Sequence, residues 1–204
     1  MITIVDYGLG NVQALANIYK RLDIPVVLAR TAQELAGASH VILPGVGAFD
    51  WAMHRLNESG MRETLDALVV GEGKPALGIC VGMQMMARTS DEGISPGLGW
   101  FDATVKLFDT STFVGRAQLP HMGWNDVDPV RRDGLFAGFT DDIRFYFLHS
   151  YYFSANDSRD ILATTTYGAP FTCAAQRGNI HGVQFHPEKS HGWGIQLLKN
   201  FAGR

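Results

Sequence analysis

Residues 78–82, Gly-Ile-Cys-Val-Gly, place the strongest constraint on how this chain can fold. They follow the apolar run 75–77 and precede a stretch of helical character at 83–88. A Gly-x-nucleophile-x-Gly segment between a strand and a helix is typical of a nucleophile elbow, in which a strained turn exposes the middle side chain. The glycines permit the close backbone packing that such a turn needs. The pattern therefore predicts a strand–turn–helix unit with the Cys80 thiol at its apex.

A thiol in this position is expected to be reactive. Cys80 would face the positive end of the helix dipole, which favours the thiolate, the nucleophilic form. The backbone N–H of Val81 would point to the same place and bind a developing oxyanion. The alternative is a buried, inert structural cysteine. The nucleophile interpretation therefore requires a base elsewhere in the chain.

Composition limits the class of protein. A length of 204 residues fits one domain, predicted here as 1–204, with no linker or repeat. The 46% apolar content, 18% charged content and net charge of −3 argue against disorder and against nucleic-acid binding. No apolar run reaches membrane-spanning length, and the N-terminus lacks the features of a signal peptide. Two cysteines make no disulfide framework, so a cytoplasmic location is expected.

The first half of the chain alternates predicted strands with predicted helices. Apolar runs predict strands at 2–6, 24–28, 41–43 and 76–79, and helical patterns predict helices at 12–22, from Thr31, at 48–57 and at 60–71. This alternation predicts an α/β fold with a doubly wound, mostly parallel sheet and helices on both faces. Ligands bind at the carboxyl ends of such strands. We therefore expect the 6–10 loop, the 44–49 loop and the Cys80 elbow at one edge.

The second half has a different pattern. Short β-like runs at 100–108, 144–153, 160–166, 171–177 and 180–185 are separated by turn residues, and a last helix is predicted at 193–201. This pattern predicts antiparallel additions to the sheet in the C-terminal half.

A candidate base follows one of these runs. His186 comes directly after 182–185, Gly-Val-Gln-Phe, and Glu188 lies two residues further on. An imidazole can take the thiol proton and later return it to a leaving amine, and a carboxylate can hold the ring in the required tautomer. Alone, the tripeptide is more typical of a loop histidine beside a solvated carboxylate. Beside an elbow cysteine in a parallel sheet it indicates a Cys–His–Glu triad. No His/Cys spacing is typical of a metal site, and Cys173 is expected in the core.

Several longer motifs resemble a known family. Residues 78–84, 44–47 and 182–188 (Gly-Ile-Cys-Val-Gly-Met-Gln, Pro-Gly-Val-Gly and Gly-Val-Gln-Phe-His-Pro-Glu) together resemble the class I, triad-type glutamine amidotransferases. Residues 6–11, 119–125, 148–152 and 186–190 are similar to segments of one subgroup, the glutaminase subunits of imidazole glycerol phosphate synthases in histidine biosynthesis. The resemblance runs from residue 1 to the C-terminus at closely similar spacing. It implies no cofactor.

The resemblance implies a role for individual residues. Cys80 would be the nucleophile, His186 the acid/base and Glu188 the carboxylate that orients it. The oxyanion would meet the backbone of Val81, Gly45, Val46 and Gly47. Contacts to the substrate glutamine are implied for Gln84, Tyr146, Ser150 and Tyr151. Contacts to a partner subunit are implied for Asn11, Met122, Trp124, Asn125 and Lys189.

The partner implied is a cyclase (β/α)8-barrel subunit in a 1:1 heterodimer, which would receive ammonia released from L-glutamine. The chain has no phosphate-binding loop or nucleotide motif, so the synthase chemistry is expected on another polypeptide. Low activity without that partner is predicted. Val81 departs from the leucine expected in the family, an apolar exchange that leaves the backbone chemistry intact.

Three alternatives remain open at the level of sequence. One is a sister amidotransferase subunit that supplies ammonia for surface-polysaccharide sugar amination or for pyridoxal phosphate synthesis. Another is a cysteine hydrolase or peptidase on the same fold. The third is a binding module with a vestigial site.

Overall fold

A computed structural model describes residues 1–113, 118–140 and 142–203. Its strands are β1 (Ile2–Val5), β2 (Val26–Ala29), β3 (His40–Gly45), β4 (Ala76–Cys80), β5 (Thr89–Ser90), β6 (Ala103–Leu107), β7 (His121–Asp126), β8 (Asp128–Pro129), β9 (Arg144–His149), β10 (Tyr151–Ala155), β11 (Ile161–Tyr167), β12 (Ala169–Arg177) and β13 (Ile180–Val183). Its α-helices are α1 (Val12–Arg21), α2 (Ala32–Leu35), α3 (Phe49–Glu58), α4 (Arg62–Asp66), α5 (Val81–Met85) and α6 (His191–Ala202).

Eight strands form the main sheet, in the order β2-β1-β3-β4-β13-β12-β11-β8. The first five are mutually parallel, and β12, β11 and β8 join the sheet in antiparallel pairs. Strands β1 and β4 are buried along their whole length, which is why their sequences are continuous apolar runs rather than alternating patterns. The predicted α/β class, with a mostly parallel sheet and antiparallel additions in the C-terminal half, is confirmed.

Helix α2 begins at the predicted cap. The Thr31 hydroxyl accepts a hydrogen bond from the Glu34 backbone N–H at 3.2 Å. The Glu34 carboxylate accepts from the Arg30 N–H at 2.7 Å, one residue before the capping residue. This arrangement satisfies N–H groups that a helix start leaves without partners.

Two predictions for the second half were wrong in detail. The run 144–153 divides at Ser150 into β9, which pairs with β7, and β10, which pairs with β6 in another sheet. Strand β7 was not predicted, because its half-buried face carries His121, Gly123 and Asn125 while its exposed face carries apolar residues. Gly123, Asn125 and Asp126 also belong to residue types that are depleted in strands, which weakens the strand signal of this segment.

Helix boundaries also differ from the predictions. The predicted helix at 60–71 is α4 followed by a π-helical segment at Ala67–Gly71. Helix α5 begins at Val81, two residues earlier than predicted, and ends at Met85. Cys173 is completely buried in β12, as predicted. None of the helices formed by the described residues has both the length and the apolar character needed to cross a membrane.

Candidate active site

The nucleophile elbow forms at the junction of β4 and α5. Cys80 has φ +55° and ψ −114°, and such a conformation costs a residue with a side chain on the order of 1–3 kcal/mol. A Cβ on Gly78 would lie 2.8 Å from the Gly82 carbonyl oxygen, and a Cβ on Gly82 would overlap the carbonyl of Leu43. The two glycines therefore permit the packing that holds Cys80 in this strained conformation.

His186 lies beside Cys80 and is oriented by Glu188. The His186 Nδ1 atom is 2.8 Å from Glu188 Oε1, and both side chains are buried. The ring and the Cys80 thiol line the same cavity. Burial acts to lower the pKa of His186, but interactions with Cys80 and Glu188 raise that pKa to about 10. The environment therefore favours the protonated form of the His186 ring.

Backbone contacts hold His186 against β9. The His186 N–H donates to the Tyr146 carbonyl at 2.8 Å. The Ser190 hydroxyl donates to the His186 carbonyl at 2.6 Å and accepts from the Tyr146 N–H at 3.0 Å. This links the segment after β13 to the strand that leads into Ser150 and Tyr151.

The loop after β3 runs alongside the elbow. Gly45 is paired with Cys80, and a Cβ on Gly45 would lie 2.8 Å from the Val81 carbonyl carbon. Just before it, the Pro44 carbonyl accepts a hydrogen bond from the Tyr7 hydroxyl at 2.7 Å. Val46 and Gly47 are exposed, and Gly47 has φ +84°. The predicted oxyanion loop and the Val81 N–H therefore border the same space.

A cavity of about 520 Å³ lies over Cys80. Its lining residues come from loops, from the ends of strands and from helix α5: Gly10, Asn11, Val46, Gly47, Cys80, Val81, Gln84, Glu92, Pro120, Leu148, His149, Ser150, Tyr151, His186 and Lys189. Most of the predicted catalytic, oxyanion and glutamine-binding residues are in this set. Among the predicted site residues that do not line the cavity, Glu188 stands behind His186, and Tyr146 lies under Lys189 Nζ, which is 5.7 Å from its ring centroid.

Two residues with contacts in the site were missed by the sequence predictions. The Glu92 carboxylate lines the cavity and accepts from the Phe49 N–H at 2.9 Å, at the start of α3. No local pattern in the sequence marks it. The Gln184 amide lies between Gln84, at 3.2 Å, and Cys80 Sγ, at 3.9 Å. Its position two residues before His186, on the same face of an extended segment, was an available signal.

The predicted partner-facing residues divide into three groups. On β7, Met122 is 64% exposed and Trp124 is 37% exposed, with Trp124 stacked on His191 at 5.4 Å. Asn125 is on the opposite face of that strand, where its amide donates to the Thr166 carbonyl at 2.9 Å. Asn11 and Lys189 are at the cavity itself.

Comparison with known proteins gives the class to which this geometry belongs. The model of the class-I glutamine amidotransferase family matches residues 3–203. The chain belongs to the class-I glutamine amidotransferase family, and it is a glutamine amidotransferase. A Bdellovibrio bacteriovorus protein named imidazole glycerol phosphate synthase subunit HisH is 61% identical over 99% of both chains. A Leptospira borgpetersenii protein of the same name is 46% identical over 99% of both. Within the family, the chain therefore belongs with the HisH subunits.

Structural comparison agrees on the fold. A crystal structure described as a glutamine amidotransferase aligns with a TM-score of 0.74, over 100% of this chain and 99% of that one. Its sequence is 20% identical, so this likeness shows the fold alone.

The pairing of His186 with Glu188 leads to a prediction. Replacing Glu188 by glutamine removes a charge but keeps an oxygen acceptor near Nδ1. We expect the pKa of His186 to fall by about one pH unit or more, because burial still disfavours the imidazolium. An NMR titration of the His186 ring measures this change. Glu58→Gln, on the exposed face of α3, is the control and should leave the His186 titration unchanged; an unaltered pKa in Glu188→Gln would contradict the assignment.

Proposed function

We propose that this chain hydrolyses L-glutamine to glutamate and ammonia through Cys80, His186 and Glu188. The observation that carries the proposal is the strained thiol of Cys80, which shares a cavity with an imidazole that a buried carboxylate orients. An activated thiolate beside a positioned acid/base is the requirement for nucleophilic acyl transfer.

The proposed reaction has two steps. The Cys80 thiolate attacks the amide carbon of glutamine, and the N–H of Val81 and the Gly45–Gly47 loop stabilise the oxyanion. Protonated His186 gives its proton to the leaving ammonia as the C–N bond breaks, leaving a γ-glutamyl thioester. Neutral His186 then removes a proton from water, which attacks the thioester carbon; the C–S bond breaks, glutamate is released, and the Cys80 thiolate and the protonated ring are restored. Glu188 keeps the ring oriented in both steps.

The cavity has groups suited to the rest of the substrate. Glu92 is a carboxylate on the cavity wall, and we assign it to the α-ammonium group of glutamine. Ser150, Tyr151 and Gln84 also line the cavity, and Gln84 donates to the Tyr151 carbonyl, so we assign all three to glutamine binding; we assign Tyr146, which lies beside Lys189, to the same role.

Ammonia released into water is protonated and lost as a nucleophile, so a partner that receives it directly is needed. We propose a cyclase (β/α)8-barrel subunit in a 1:1 heterodimer, together making imidazole glycerol phosphate in histidine biosynthesis in the cytoplasm. Close relatives carry the name of a subunit of that synthase. The exposed Met122 and Trp124 side chains provide apolar anchors of the kind found at subunit interfaces.

The test is glutamine hydrolysis by the isolated chain and by its complex with the barrel subunit, with and without the nucleotide ligand of that subunit. We expect the liganded partner to stimulate hydrolysis roughly 10-fold or more, the range of strong allosteric coupling. Equal activity with and without the barrel subunit would support glutamine hydrolysis by this chain but would contradict the proposal that this subunit is its partner. Absence of hydrolysis in every condition would reject the catalytic proposal.

A further inference from the structure

A chain of hydrogen bonds connects strand β7 to the wall of the substrate cavity. The Asn125 amide nitrogen is 3.2 Å from His121 Nε2. The opposite ring nitrogen, His121 Nδ1, is 3.0 Å from His149 Nε2. His149 Nδ1 is 2.8 Å from the carbonyl oxygen of Tyr151. Four groups from two sheets are thus joined without a gap.

The direction of every bond follows from its last member. A backbone carbonyl only accepts, so the proton of His149 is on Nδ1 and its Nε2 is an acceptor. His121 must then donate from Nδ1 and accept at Nε2, where the Asn125 amide donates. The Thr166 carbonyl, 2.9 Å from the same Asn125 nitrogen, independently requires that nitrogen to be the donor. The carbonyls at both ends, of Thr166 and of Tyr151, therefore require the hydrogen bonds to be donated in the direction from Asn125 to Tyr151.

The surroundings keep both rings neutral. Burial lowers the pKa of His121 to about 4 and that of His149 to about 3, where the neighbouring His121 contributes further. His121 is stacked between Tyr167, with ring centroids 4.0 Å apart, and Phe147, at 4.8 Å. In the neutral state each of these two rings has one tautomer that satisfies its hydrogen-bond partners.

The Tyr151 carbonyl also determines the orientation of Gln84. It accepts a hydrogen bond from Gln84 Nε2 at 2.9 Å, and the same nitrogen donates to Gln184 Oε1 at 3.2 Å. Both hydrogens of the Gln84 amide are therefore used, which leaves its carbonyl oxygen as the polar atom free to face the cavity. The Gln184 nitrogen is in turn directed at Cys80 Sγ, 3.9 Å away.

We propose that His121 and His149 are positioning residues for glutamine binding: the N–H of His149 holds the Tyr151 carbonyl toward Gln84, so that Gln84 presents its oxygen to an N–H donor of the substrate. This inference rests on the proposed glutaminase function. His121 acts one step further back, because its N–H fixes the tautomer of His149.

Two substitutions of His149 separate its two hydrogen bonds. His149→Asn places an amide nitrogen near the position of Nδ1 and keeps a donor for Tyr151. His149→Gln places its amide near Nε2 and keeps a contact with His121 but loses the donor to Tyr151. In the complex with the barrel partner, we expect His149→Gln to raise the KM for glutamine about 10-fold at nearly unchanged kcat, the effect of one lost buried hydrogen bond. We expect His149→Asn to stay within about threefold of wild type.

His54→Gln, at an exposed position on α3, is the control and should match wild type. Thermal unfolding of each variant checks that the two His149 replacements are folded to the same extent. Equal KM values in His149→Asn and His149→Gln overturn the proposal, as does a His149→Gln effect confined to kcat.

A second measurement does not depend on glutamine turnover. In the wild-type full chain at pH 7, two-bond ¹H–¹⁵N correlation spectra should show both His121 and His149 as neutral rings protonated at Nδ1. An Nε2-protonated or cationic ring at either position overturns the proposal. If the wild-type complex hydrolyses no glutamine, the proposed function fails, and the tautomers still decide whether the directed chain exists.

Discussion

Replacing Cys80 by alanine is expected to reduce glutamine hydrolysis by the partner complex about 10⁴-fold or more. The substitution removes the atom that attacks the amide carbon, so no thioester can form. The remaining oxyanion donors and binding groups stabilise only the direct attack of water. Steady-state ammonia release from the purified complex measures the loss, with purification controls for contaminating glutaminases.

The second cysteine of the chain is a matched control. Cys173 is completely buried in β12, and burial raises the pKa of its thiol well above the ordinary value. Cys173→Ala should keep wild-type kcat and cost only about 1 kcal/mol or slightly more of stability, from the small cavity it leaves. Iodoacetamide should label wild type and Cys173→Ala but not Cys80→Ala. Activity retained in Cys80→Ala would remove the thiol from the mechanism.

Replacing Gly82 by alanine is expected to lower the free energy of unfolding by roughly 3 kcal/mol or more. The added methyl group would overlap the carbonyl of Leu43, a backbone atom inside the parallel ladder between β3 and β4. Leu43 cannot move away from the added methyl group without breaking hydrogen bonds between β3 and β4. Urea denaturation followed by circular dichroism measures the change.

Gly37→Ala provides the comparison for that loss. Gly37 is exposed, and a Cβ there would meet no atom within 4 Å. Its replacement should change the stability by less than about 0.5 kcal/mol or raise it slightly. A Gly82→Ala protein as stable as Gly37→Ala would show that the elbow tolerates a side chain and that the close packing is not required.

The parallel half of the fold was predictable because its signals are local and strong. The buried runs of β1 and β4 are continuous apolar segments, and the glycines around Cys80 mark the turn between a strand and a helix. The carboxyl-end rule then places the 44–49 loop beside the elbow. The contact between His186 and Glu188 was predictable from their separation of two residues directly after a strand, where a short 3-10 turn at Pro187–Lys189 brings them together.

Other features depended on contacts between distant segments. Strand β7 has Met122 and Trp124 on the solvent side and contains three residues of types depleted in strands, so its pairing with β9 is not evident from the sequence. Glu92 reaches the cavity from the loop after β5 because it caps the N-terminus of α3, which is 43 positions earlier in the chain. The tautomers of His121 and His149 depend on a carbonyl in β10, a partner that no sequence pattern reveals.

The loop after β3 is held by a hydrogen bond at each end. The Tyr7 hydroxyl donates to the Pro44 carbonyl at one end, and the Phe49 N–H donates to the Glu92 carboxylate at the other. Conformational change in this loop is therefore restricted to rotation of the few peptide units between these two hydrogen bonds, rather than movement of the whole loop. Such local rotations occur in nanoseconds to microseconds, far faster than the turnover of most enzymes.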